Sequence, residues 1–293
     1  MVSKNNKKVA VIGSGGQLGK ELIRVLDTNP GFDPISLDHS SIESTDKASV
    51  FDALITDKPD IVINCSAYVG VDDCEDHPRD AFAVNTIGAG YIAEACSQIN
   101  AICVYISTDY VFDGQKNSPY FENDIPNPKN VYGVSKLAGE QLTRAYCDKH
   151  FVIRTSGLYG VSGSSGKGGN FIETMINLEK SGKTIRVVDD QVLTPTYTVD
   201  LAQSIPDIVN TEAYGVYHVT NGGFCSWYEF AKTIFDFKGI VPDLLPTTTQ
   251  EYGAKAMRPM YSVLENSAIS NLGLTPLRHW KDALIEYIET MHY

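Results

Sequence analysis

The stretch that decides the fold is VAVIGSGGQLG, residues 9–19, in which a short apolar run leads into regularly spaced glycines. Four consecutive apolar residues are typical of a buried β-strand, and Gly13, Gly16 and Gly19 then open a helix. A glycine turn lets the backbone approach a pyrophosphate closely, and the free N–H groups at the helix N-terminus bind its charge. The sequence therefore predicts a dinucleotide site at the end of the first strand.

The same glycine spacing recurs at Gly163, Gly166 and Gly169, so spacing alone does not identify the site. Only the first set follows an apolar strand, whereas the second lies in a Gly/Ser-rich stretch that is read as a loop. This long stretch marks the predicted boundary between a dinucleotide-binding domain (1–160) and a mainly substrate-binding domain (161–293). Interleaving of the two domains is left open.

Outward from the first glycines, short apolar runs alternate with stretches in which apolar residues recur every three or four positions. The predicted strands are 9–12, 34–37, 60–64, 102–107 and 151–155, and the predicted helices are 17–26, 47–55, 78–98 and 131–148. Such alternation predicts βαβ units in a parallel sheet covered on both faces, an α/β, Rossmann-like, doubly wound fold. The smaller C-terminal α/β part has predicted helices at 171–180, after 226 and from about 280, and strands at 185–188 and 216–219.

Composition excludes several function classes. The 293 residues contain 24 Lys and Arg against 36 Asp and Glu, a formal net charge of −12, and such a chain repels nucleic-acid phosphates. No apolar run approaches the roughly 18 residues of a membrane span, and the first one is too short for a signal peptide. The six cysteines lack a CxxC pair and are predicted to be free thiols in the cytoplasm.

A dinucleotide-binding fold also needs an acidic side chain about 20 residues after the glycines, which accepts hydrogen bonds from the ribose hydroxyls. Asp38 stands there, with an exposed strand-end carboxylate as the alternative interpretation. No Lys or Arg occurs between Asp38 and Lys47 to bind a 2′-phosphate. We therefore expect NADH or NADPH as the cofactor, with NADH used at least as well as NADPH.

A pair of side chains suited to proton transfer lies on the predicted helix 131–148. Tyr132 and Lys136 are four residues apart and so share one helix face. A nearby ammonium lowers the pKa of a phenol, which can then donate a proton to a carbonyl as a hydride arrives. Thr108, at the end of the fourth strand, is predicted to hydrogen-bond the same carbonyl. Tyr228 and Lys232 repeat the spacing but follow no nucleotide-binding strand, so they are read as an ordinary helix face.

These residues resemble the dTDP-4-dehydrorhamnose reductase family of extended short-chain dehydrogenases/reductases over nearly the whole chain. The most specific pair of motifs is STDYVFDG at 107–114 followed by VYGVSKLAGE at 131–140. The other matching motifs are GSGGQLG (13–19), INCSA (63–67), GGNF (168–171), VVDDQVLTPTY (187–197) and RPMYSVL (258–264).

The resemblance implies roles for individual residues. The implied cofactor contacts are Gly16, Gln17 and Leu18 at the pyrophosphate, beside Gly13 and Gly19; Asp38, Glu43 and Ser44 at the adenosine; and Cys65, Ser66 and Ala67 beyond the third strand. The implied catalytic contacts are Tyr132 as proton donor, Lys136 on the nicotinamide ribose, and Thr108 and Asp109 at the sugar. A doubly charged substrate also needs positive contacts, for which Arg258 and backbone groups near Asn170 are the candidates. A guanidinium satisfied within the core is the alternative for Arg258.

The chain departs from the family in two places. Several members carry a tryptophan in RTSW where this chain has Gly157, so we expect a different sugar pocket and leave the exact 4-keto sugar open. Some members build a metal-bridged dimer from glutamates. Glu21 matches one such position but Val199 stands at another, so no metal is expected. Asn85 matches the superfamily's active-site asparagine, with a structural helix asparagine as an equal alternative.

Together these expectations describe an NAD(P)H-dependent oxidoreductase, monomeric or homodimeric, acting on a nucleotide-sugar in the cytoplasm. It is predicted to reduce the 4-keto group of a dTDP-4-dehydro-6-deoxy sugar, first of all dTDP-4-dehydro-L-rhamnose to dTDP-L-rhamnose, for polysaccharide biosynthesis. One alternative is another nucleotide-sugar 4-ketoreductase or an epimerase. The other alternative is a non-catalytic regulatory subunit like that of methionine adenosyltransferase, which is similar in the same regions.

Overall fold

The computed structural model describes residues 6–162 and 169–291 of the chain. The strands are β1 (Lys7–Ile12), β2 (Phe32–Leu37), β3 (Ile61–Asn64), β4 (Ile102–Thr108), β5 (His150–Thr155), β6 (Leu158–Tyr159), β7 (Ile185–Val188), β8 (Val192–Leu193), β9 (Thr196–Tyr197), β10 (Gly215–His218), β11 (Cys225–Ser226) and β12 (Leu244–Thr247). The helices are α1 (Gln17–Asp27), α2 (Lys47–Asp57), α3 (Val71–Asp76), α4 (Pro78–Phe82), α5 (Ala89–Gln98), α6 (Val131–Tyr146), α7 (Phe171–Lys180), α8 (Thr198–Asn210), α9 (Trp227–Lys238), α10 (Thr249–Tyr252), α11 (Ser267–Asn271) and α12 (Trp280–Thr290).

Six parallel strands form the central sheet in the order β10-β5-β4-β3-β1-β2. Strands β3 and β4 are buried along their whole length, because apolar clusters cover both faces of the sheet. The predicted α/β fold with a parallel, doubly wound sheet is thus confirmed. Since β1 has β3 on one side and β2 on the other, the strand order reverses there and leaves a crevice at the carboxyl ends.

The first half differs from the sequence prediction mainly in the stretch predicted as one helix, 78–98. Here α4 leads into a π-helix, Ala83–Gly88, and only then into α5. The wide π-helical turn allows the backbone oxygen of Asn85 to accept a hydrogen bond from the Tyr105 hydroxyl at 2.9 Å. The preceding helix α3 and the later helix α8 were not predicted either.

The C-terminal part has its own apolar cluster, which includes Tyr159, Phe230, Trp280 and Tyr287. It also adds β10, predicted one residue later, to the edge of the central sheet beside β5. There are also three small two-stranded sheets, in which β11 pairs with β8, β12 with β7 and β6 with β9. The chain after residue 160 therefore contributes to the main sheet as well as to the wall that faces it.

Candidate active site

A cleft of about 690 Å³ opens at the carboxyl ends of β1, β3, β4 and β5. Its cofactor half consists of the turns that follow β1 and β3, and its catalytic centre lies after β4 and on α6. Its far wall comes from the C-terminal part. The lining residues that sequence analysis predicted as site residues are Gly16, Gln17, Leu18, Cys65, Ala67, Thr108, Asp109, Tyr132, Lys136, Asn170 and Arg258.

The glycine loop after β1 fits a pyrophosphate. Gly13 has a φ of +77°, and a β-carbon there would lie 2.9 Å from the backbone nitrogen of Ser66, so only glycine is accommodated. A β-carbon at Gly19 would collide with the Gly13 carbonyl oxygen. Gly16 caps α1 without a side-chain hydrogen bond, which leaves the first N–H groups of the helix available to an anion.

Two neighbours of this loop differ in what they offer a cofactor. The Oε1 atom of Gln17 is buried and has no hydrogen-bond partner in the described part of the chain. In contrast, the backbone N–H and hydroxyl of Ser66 both donate to Asn64 Oδ1, at 3.0 and 2.6 Å. Ser66 does not line the cleft, whereas Cys65 does, and burial raises the pKa of the Cys65 thiol to about 12.

The residues predicted at the adenosine lie outside this cleft. Asp38 is exposed directly after β2, and its Oδ1 accepts hydrogen bonds from the hydroxyls of Ser40 and Ser41, which lower the pKa of the carboxyl group. A β-carbon at Gly15 would lie 3.9 Å from that of Asp38, so the carboxylate is next to the glycine loop. The two other predicted residues are Glu43, bonded to Thr45, and buried Ser44.

Tyr132 lines the cleft from the first turn of α6, which packs closely against the turn that follows β4. The Asn130 side chain caps α6 by accepting from the Gly133 N–H at 2.7 Å. A β-carbon at Gly133 would collide with the Tyr110 carbonyl oxygen, so this glycine permits the approach. The Tyr132 phenol thereby comes within hydrogen-bonding reach of the Thr108 hydroxyl.

The protonation of this pair differs from the simple expectation that Lys136 lowers the pKa of Tyr132. Burial raises the pKa of Tyr132 above its ordinary value, although the Thr108 hydroxyl opposes the rise. Burial also lowers the pKa of Lys136 to about 7, against the attraction of Glu140. The Lys136 ammonium donates to the Ile106 carbonyl at 2.6 Å and lies 4.1 Å from the centre of the Tyr105 ring. Burial therefore outweighs the expected effect of Lys136.

A buried ion pair supports α6 from behind. The guanidinium of Arg154, on β5, donates to both carboxylate oxygens of Glu140 at 2.9 and 2.7 Å. The Ser107 hydroxyl donates to the same carboxylate at 2.5 Å. The side chains of Glu140 and Arg154 are 0% and 4% exposed, so this pair fixes α6 to β5, and the Ser107 bond ties it to β4.

Asp109 is buried at the substrate side of the cleft among hydroxyl groups. Its Oδ2 accepts from Ser262 at 2.6 Å and from Ser156 at 2.9 Å, and its Oδ1 accepts from Thr108 at 3.1 Å. Burial nevertheless raises the pKa of the carboxyl group. Sequence analysis missed both serines, although Ser262 lies within the quoted motif RPMYSVL.

Arg258 and Asn170, the two residues predicted at the substrate diphosphate, differ in how many of their hydrogen-bonding groups are already used. One guanidinium nitrogen of Arg258 donates to Asp72 at 2.8 Å, while its buried Nε has no partner among the described residues. Arg258 also lines the cleft. The Asn170 side chain is fully used, because it caps α7 and donates to the Gly160 carbonyl and the Tyr287 hydroxyl. Its backbone N–H is used as well, because it donates to Glu173 Oε2 at 3.0 Å.

Gly157 follows β5 in a conformation that a larger residue would strain. Its φ is +54°, and a β-carbon would lie 2.9 Å from a methyl carbon of Leu193 and 3.2 Å from Pro195 Cα. A tryptophan here would require the backbone to take another course. The aromatic lining on this side comes instead from residues that include Phe171 and Trp227.

Asn85 behaves as a structural residue in this arrangement. Its Oδ1 accepts from the Tyr68 N–H at 2.8 Å, and its Nδ2 donates to the Tyr68 carbonyl and the Ser135 hydroxyl. The amide thus ties the turn after β3 to α6, and Asn85 does not line the cleft. Tyr228 and Lys232, the second pair with the same spacing, do not line it either.

The remaining expectations concern metals, thiols and membranes. Within 6–162 and 169–291, no group of three or more His, Cys, Asp or Glu side chains is placed to hold a metal. Glu21 is bonded to Arg24, and Val199 is buried. None of the six cysteines, all of which lie in the described ranges, forms a disulfide. No helix in the described ranges is long and apolar enough to cross a membrane.

The parallel sheet, the glycine loop after β1 and the Tyr132–Lys136 pair in the crevice define an extended short-chain dehydrogenase/reductase. More specifically, the model of the family described as RmlD substrate binding domain matches residues 7–293, and the chain belongs to this family. The resemblance to the dTDP-4-dehydrorhamnose reductase family is thereby confirmed, as is its classification with oxidoreductases.

Individual relatives agree with this assignment. The chain is 45% identical to the spore coat polysaccharide biosynthesis protein SpsK of Bacillus subtilis, over 96% of this chain and 97% of that protein. It is 39% identical to a dTDP-4-dehydrorhamnose reductase of Streptomyces griseus, over 94% and 91%. A crystal structure of dTDP-4-dehydrorhamnose reductase from Bacillus anthracis in complex with NADP superimposes with a TM-score of 0.92 at 39% identity, over 97% of this chain and 99% of that one.

Proposed function

We propose that this protein is an NAD(P)H-dependent reductase that converts the 4-keto group of dTDP-4-dehydro-L-rhamnose to the alcohol of dTDP-L-rhamnose. The observation that carries the proposal is the meeting of Thr108, Tyr132 and Lys136 in one cleft beside a glycine loop suited to a pyrophosphate. The reductase from Streptomyces griseus and the NADP complex from Bacillus anthracis support it. We place the enzyme in the cytoplasm, as a monomer or homodimer.

The cofactor half would hold NAD(P)H through its glycines. The pyrophosphate would contact the backbone of Gly13, Gly16, Gln17, Leu18 and Gly19. The adenosine end would contact Asp38, Glu43 and Ser44. The rest of the cofactor would contact Cys65, Ser66 and Ala67. When bound, the nicotinamide supplies a hydride to the carbonyl carbon. The Oδ2 atom of exposed Asp38 would accept hydrogen bonds from the ribose hydroxyls, and its charge would repel a 2′-phosphate. We therefore expect the enzyme to use NADH at least as well as NADPH.

Tyr132 would supply the proton. Because burial raises the pKa of its phenol, the group is protonated at neutral pH and can transfer the proton to the carbonyl oxygen. The C=O double bond becomes a C–O single bond as the carbon gains a hydride and the oxygen gains this proton. The Thr108 hydroxyl orients the same oxygen, and Lys136 holds the nicotinamide ribose and stabilises the phenolate that forms.

The substrate half would bind the sugar and its diphosphate. Asp109 lies beside Thr108 and can accept a hydrogen bond from a sugar hydroxyl. Arg258 lines the cleft and would offer a positive charge to the diphosphate, and the first backbone N–H groups of α7, directly after Asn170, would offer further donors. Gly157 favours a second candidate of the same class, a reductase for another dTDP-linked 4-keto sugar, because position 157 contributes no side chain to the cleft.

The test follows oxidation of NADH and NADPH by absorbance with enzymatically generated dTDP-4-dehydro-L-rhamnose, for the wild type and Tyr132→Phe. We expect turnover to dTDP-L-rhamnose by the wild type and a loss of roughly 10² to 10⁴-fold in Tyr132→Phe, with cofactor binding retained. A variant that stays within a few-fold of the wild type would show that another group donates the proton.

The other outcomes separate the alternatives. Turnover with a different 4-keto sugar alone would favour the second candidate. A purified protein that retains its cofactor tightly and returns the hydride to the substrate would be an epimerase. Absence of turnover together with co-purification of a synthetase would support a non-catalytic subunit.

A further inference from the structure

A short acidic helix, α3, contacts the segment that carries Arg258. This segment, residues 255–260, is called the Arg258 segment. The Oδ1 atom of Asp72 accepts a hydrogen bond from the Ala256 N–H at 2.9 Å, and its Oδ2 atom accepts one from the Arg258 guanidinium at 2.8 Å. One carboxylate therefore bonds both to the backbone and to the cationic side chain of this distant segment.

Other elements hold the backbone of the Arg258 segment on both sides of the arginine. The Asn130 side chain donates to the Met257 carbonyl at 2.7 Å, and the Val192 N–H donates to the Met260 carbonyl at 2.8 Å. The backbone is thus held by several elements, whereas the long arginine side chain has many rotamers and is ordered only by a partner. Asp72 supplies such a partner.

Asp72 reaches the guanidinium without occupying the cleft. Arg258 lines the cleft and its side chain is 21% exposed, whereas the Asp72 side chain is 44% exposed and is not part of the cleft lining. Because a guanidinium has five N–H donors, Arg258 can keep its bond to Asp72 while it binds an anion in the cleft. The residue that would contact the ligand is therefore distinct from the residue that orients it.

Asp72 has two opposing effects on an anion in the cleft. Its hydrogen bond orients the Arg258 guanidinium, whereas its negative charge weakens the attraction of that guanidinium for a second anion. The carboxylate is 44% exposed, so water screens its charge. The hydrogen bond, in contrast, is charge-assisted and directional, and it acts on the guanidinium itself. We therefore expect the orienting effect to be the larger one.

We propose that Asp72 is a positioning residue that acts through Arg258 and so increases the affinity of the cleft for the substrate's diphosphate. The inference rests on the proposed function, in which Arg258 contacts the diphosphate, and adds to it a residue outside the cleft. Both bonds that Asp72 makes among the described residues go to the Arg258 segment. Cofactor binding and proton transfer by Tyr132 should therefore not depend on Asp72.

Calorimetric titration with dTDP tests the effect of Asp72 on affinity. Asp72→Asn keeps an acceptor oxygen for the Ala256 N–H but loses the charge that attracts the guanidinium, so we expect dTDP to bind about three- to tenfold more weakly. Asp72→Glu keeps the charge and should recover part of the affinity. Asp73→Asn changes the next carboxylate of α3, which bonds to Tyr68 instead, and is the matched control that should bind dTDP as the wild type does. Unchanged NADPH binding verifies that each variant is folded.

A double-mutant cycle shows whether Asp72 acts through Arg258. Arg258→Met removes the guanidinium and should weaken dTDP binding more than Asp72→Asn does. In the Arg258→Met background, Asp72→Asn should have no further effect on the Kd for dTDP, because the group that it orients is absent. If Asp72→Asn weakens dTDP binding by the same factor in both backgrounds, Asp72 acts independently of Arg258 and the inference is wrong.

Steady-state kinetics separates positioning of Arg258 from an effect on the chemical step. For Asp72→Asn, the KM for the nucleotide-sugar should rise about three- to tenfold, in parallel with the Kd for dTDP, while kcat stays near the wild-type value. A fall in kcat at unchanged KM would mean that α3 acts on the catalytic centre, and it would overturn the inference.

The remaining outcomes distinguish this inference from the proposed function. If Asp72→Asn binds dTDP as tightly as the wild type or more tightly, Asp72 does not increase the affinity, even in a protein that reduces dTDP-4-dehydro-L-rhamnose. Binding of dTDP that depends on Asp72 only when Arg258 is present, in a protein that reduces no 4-keto sugar, would support the inference while contradicting the proposed function. Absence of dTDP binding to the wild type would contradict both.

Discussion

The cofactor half of the cleft is built from residues that directly follow strands β1 and β3, whereas the substrate half is closed by distant parts of the chain. Gly13 and Cys65 are the first residues after their strands. On the other side, Ser262 reaches Asp109 across 153 positions, and Arg258 reaches Asp72 across 186. A single βαβ arrangement can therefore provide the cofactor site, while the substrate site depends on the folded C-terminal part.

The largest effect is expected behind α6, at the buried pair Arg154–Glu140. Arg154→Met leaves the Glu140 carboxylate buried without its partner, which should lower the free energy of unfolding by about 3 to 5 kcal/mol. The double variant Arg154→Met/Glu140→Leu removes both charges and should regain most of that loss. Urea unfolding measures all three proteins. Losses that simply add in the double variant would contradict this interpretation.

The next effect concerns the cofactor half and depends on pH. The pKa of Lys136 is about 7 in the folded protein and near 10.4 when unfolded, so the folded state binds fewer protons between these values. Lys136 therefore makes the free energy of unfolding rise as the pH increases from 7 towards 10. Below pH 7 its burial destabilises the folded state to the full extent. Lys136→Met should abolish turnover yet be more stable than the wild type at pH 6.5, by about 1 to 3 kcal/mol.

That advantage of Lys136→Met should shrink as the pH rises to 9.5. Lys232→Met, at the exposed lysine of the second pair with the same spacing, is the control and should show no such dependence. Denaturant unfolding at pH 6.5, 8 and 9.5 provides the data. A difference between Lys136→Met and wild type that stays constant with pH would show that Lys136 is not desolvated in the folded state.

The contrast between the local cofactor half and the long-range substrate half explains which features could be predicted from the sequence. Strands β3 and β4 are mainly apolar runs buried along their whole length, and the glycines have local reasons for their positions, so both could be predicted. Helix α8 was missed because Pro206 lies inside it, where it interrupts the helical hydrogen bonds. The bond between Ser262 and Asp109 could not be predicted, because it exists only once the two halves have folded together.

The sequence also does not show which side chains remain free to bind a ligand. The position of Asn170 beside the cleft agrees with the motif GGNF, but its amide is used by the α7 cap and by Tyr287. Likewise, the spacing of Tyr132 and Lys136 indicates a shared helix face but not the burial that shifts both pKa values. Burial depends on packing by distant elements, which no local pattern encodes.

A smaller effect is expected at the outer end of the cofactor half. Asp38→Ala removes the carboxylate proposed to accept the adenosine ribose hydroxyls and should raise the KM for NADH several-fold. The KM for NADPH should change less or fall, because a repulsive charge near the 2′-phosphate disappears. Asp33→Ala, at an exposed aspartate within β2, is the control. Equal changes for both cofactors would indicate that Asp38 only stabilises the turn it forms with Ser40 and Ser41.

The smallest effect is expected at a single hydrogen-bond acceptor, Asp109 Oδ2. Ser156 and Ser262 both donate to it, the first from the turn after β5 and the second from the distant wall. Each serine-to-alanine change removes one hydrogen bond and should cost about 0.5 to 1.5 kcal/mol of stability. Ser262→Ala additionally frees the segment that carries Arg258, so it should raise the KM for the nucleotide-sugar more than Ser156→Ala does.

Cofactor binding separates these two variants from general damage. Neither serine lies in the cofactor half, so the Kd for NADPH should stay at the wild-type value in both. If Ser156→Ala and Ser262→Ala raise the KM for the nucleotide-sugar equally, the hydroxyl bonds act only through Asp109. A larger effect of Ser262→Ala would mean that this long-range bond also keeps the distant wall in position, because the two changes remove the same chemical group from the same oxygen.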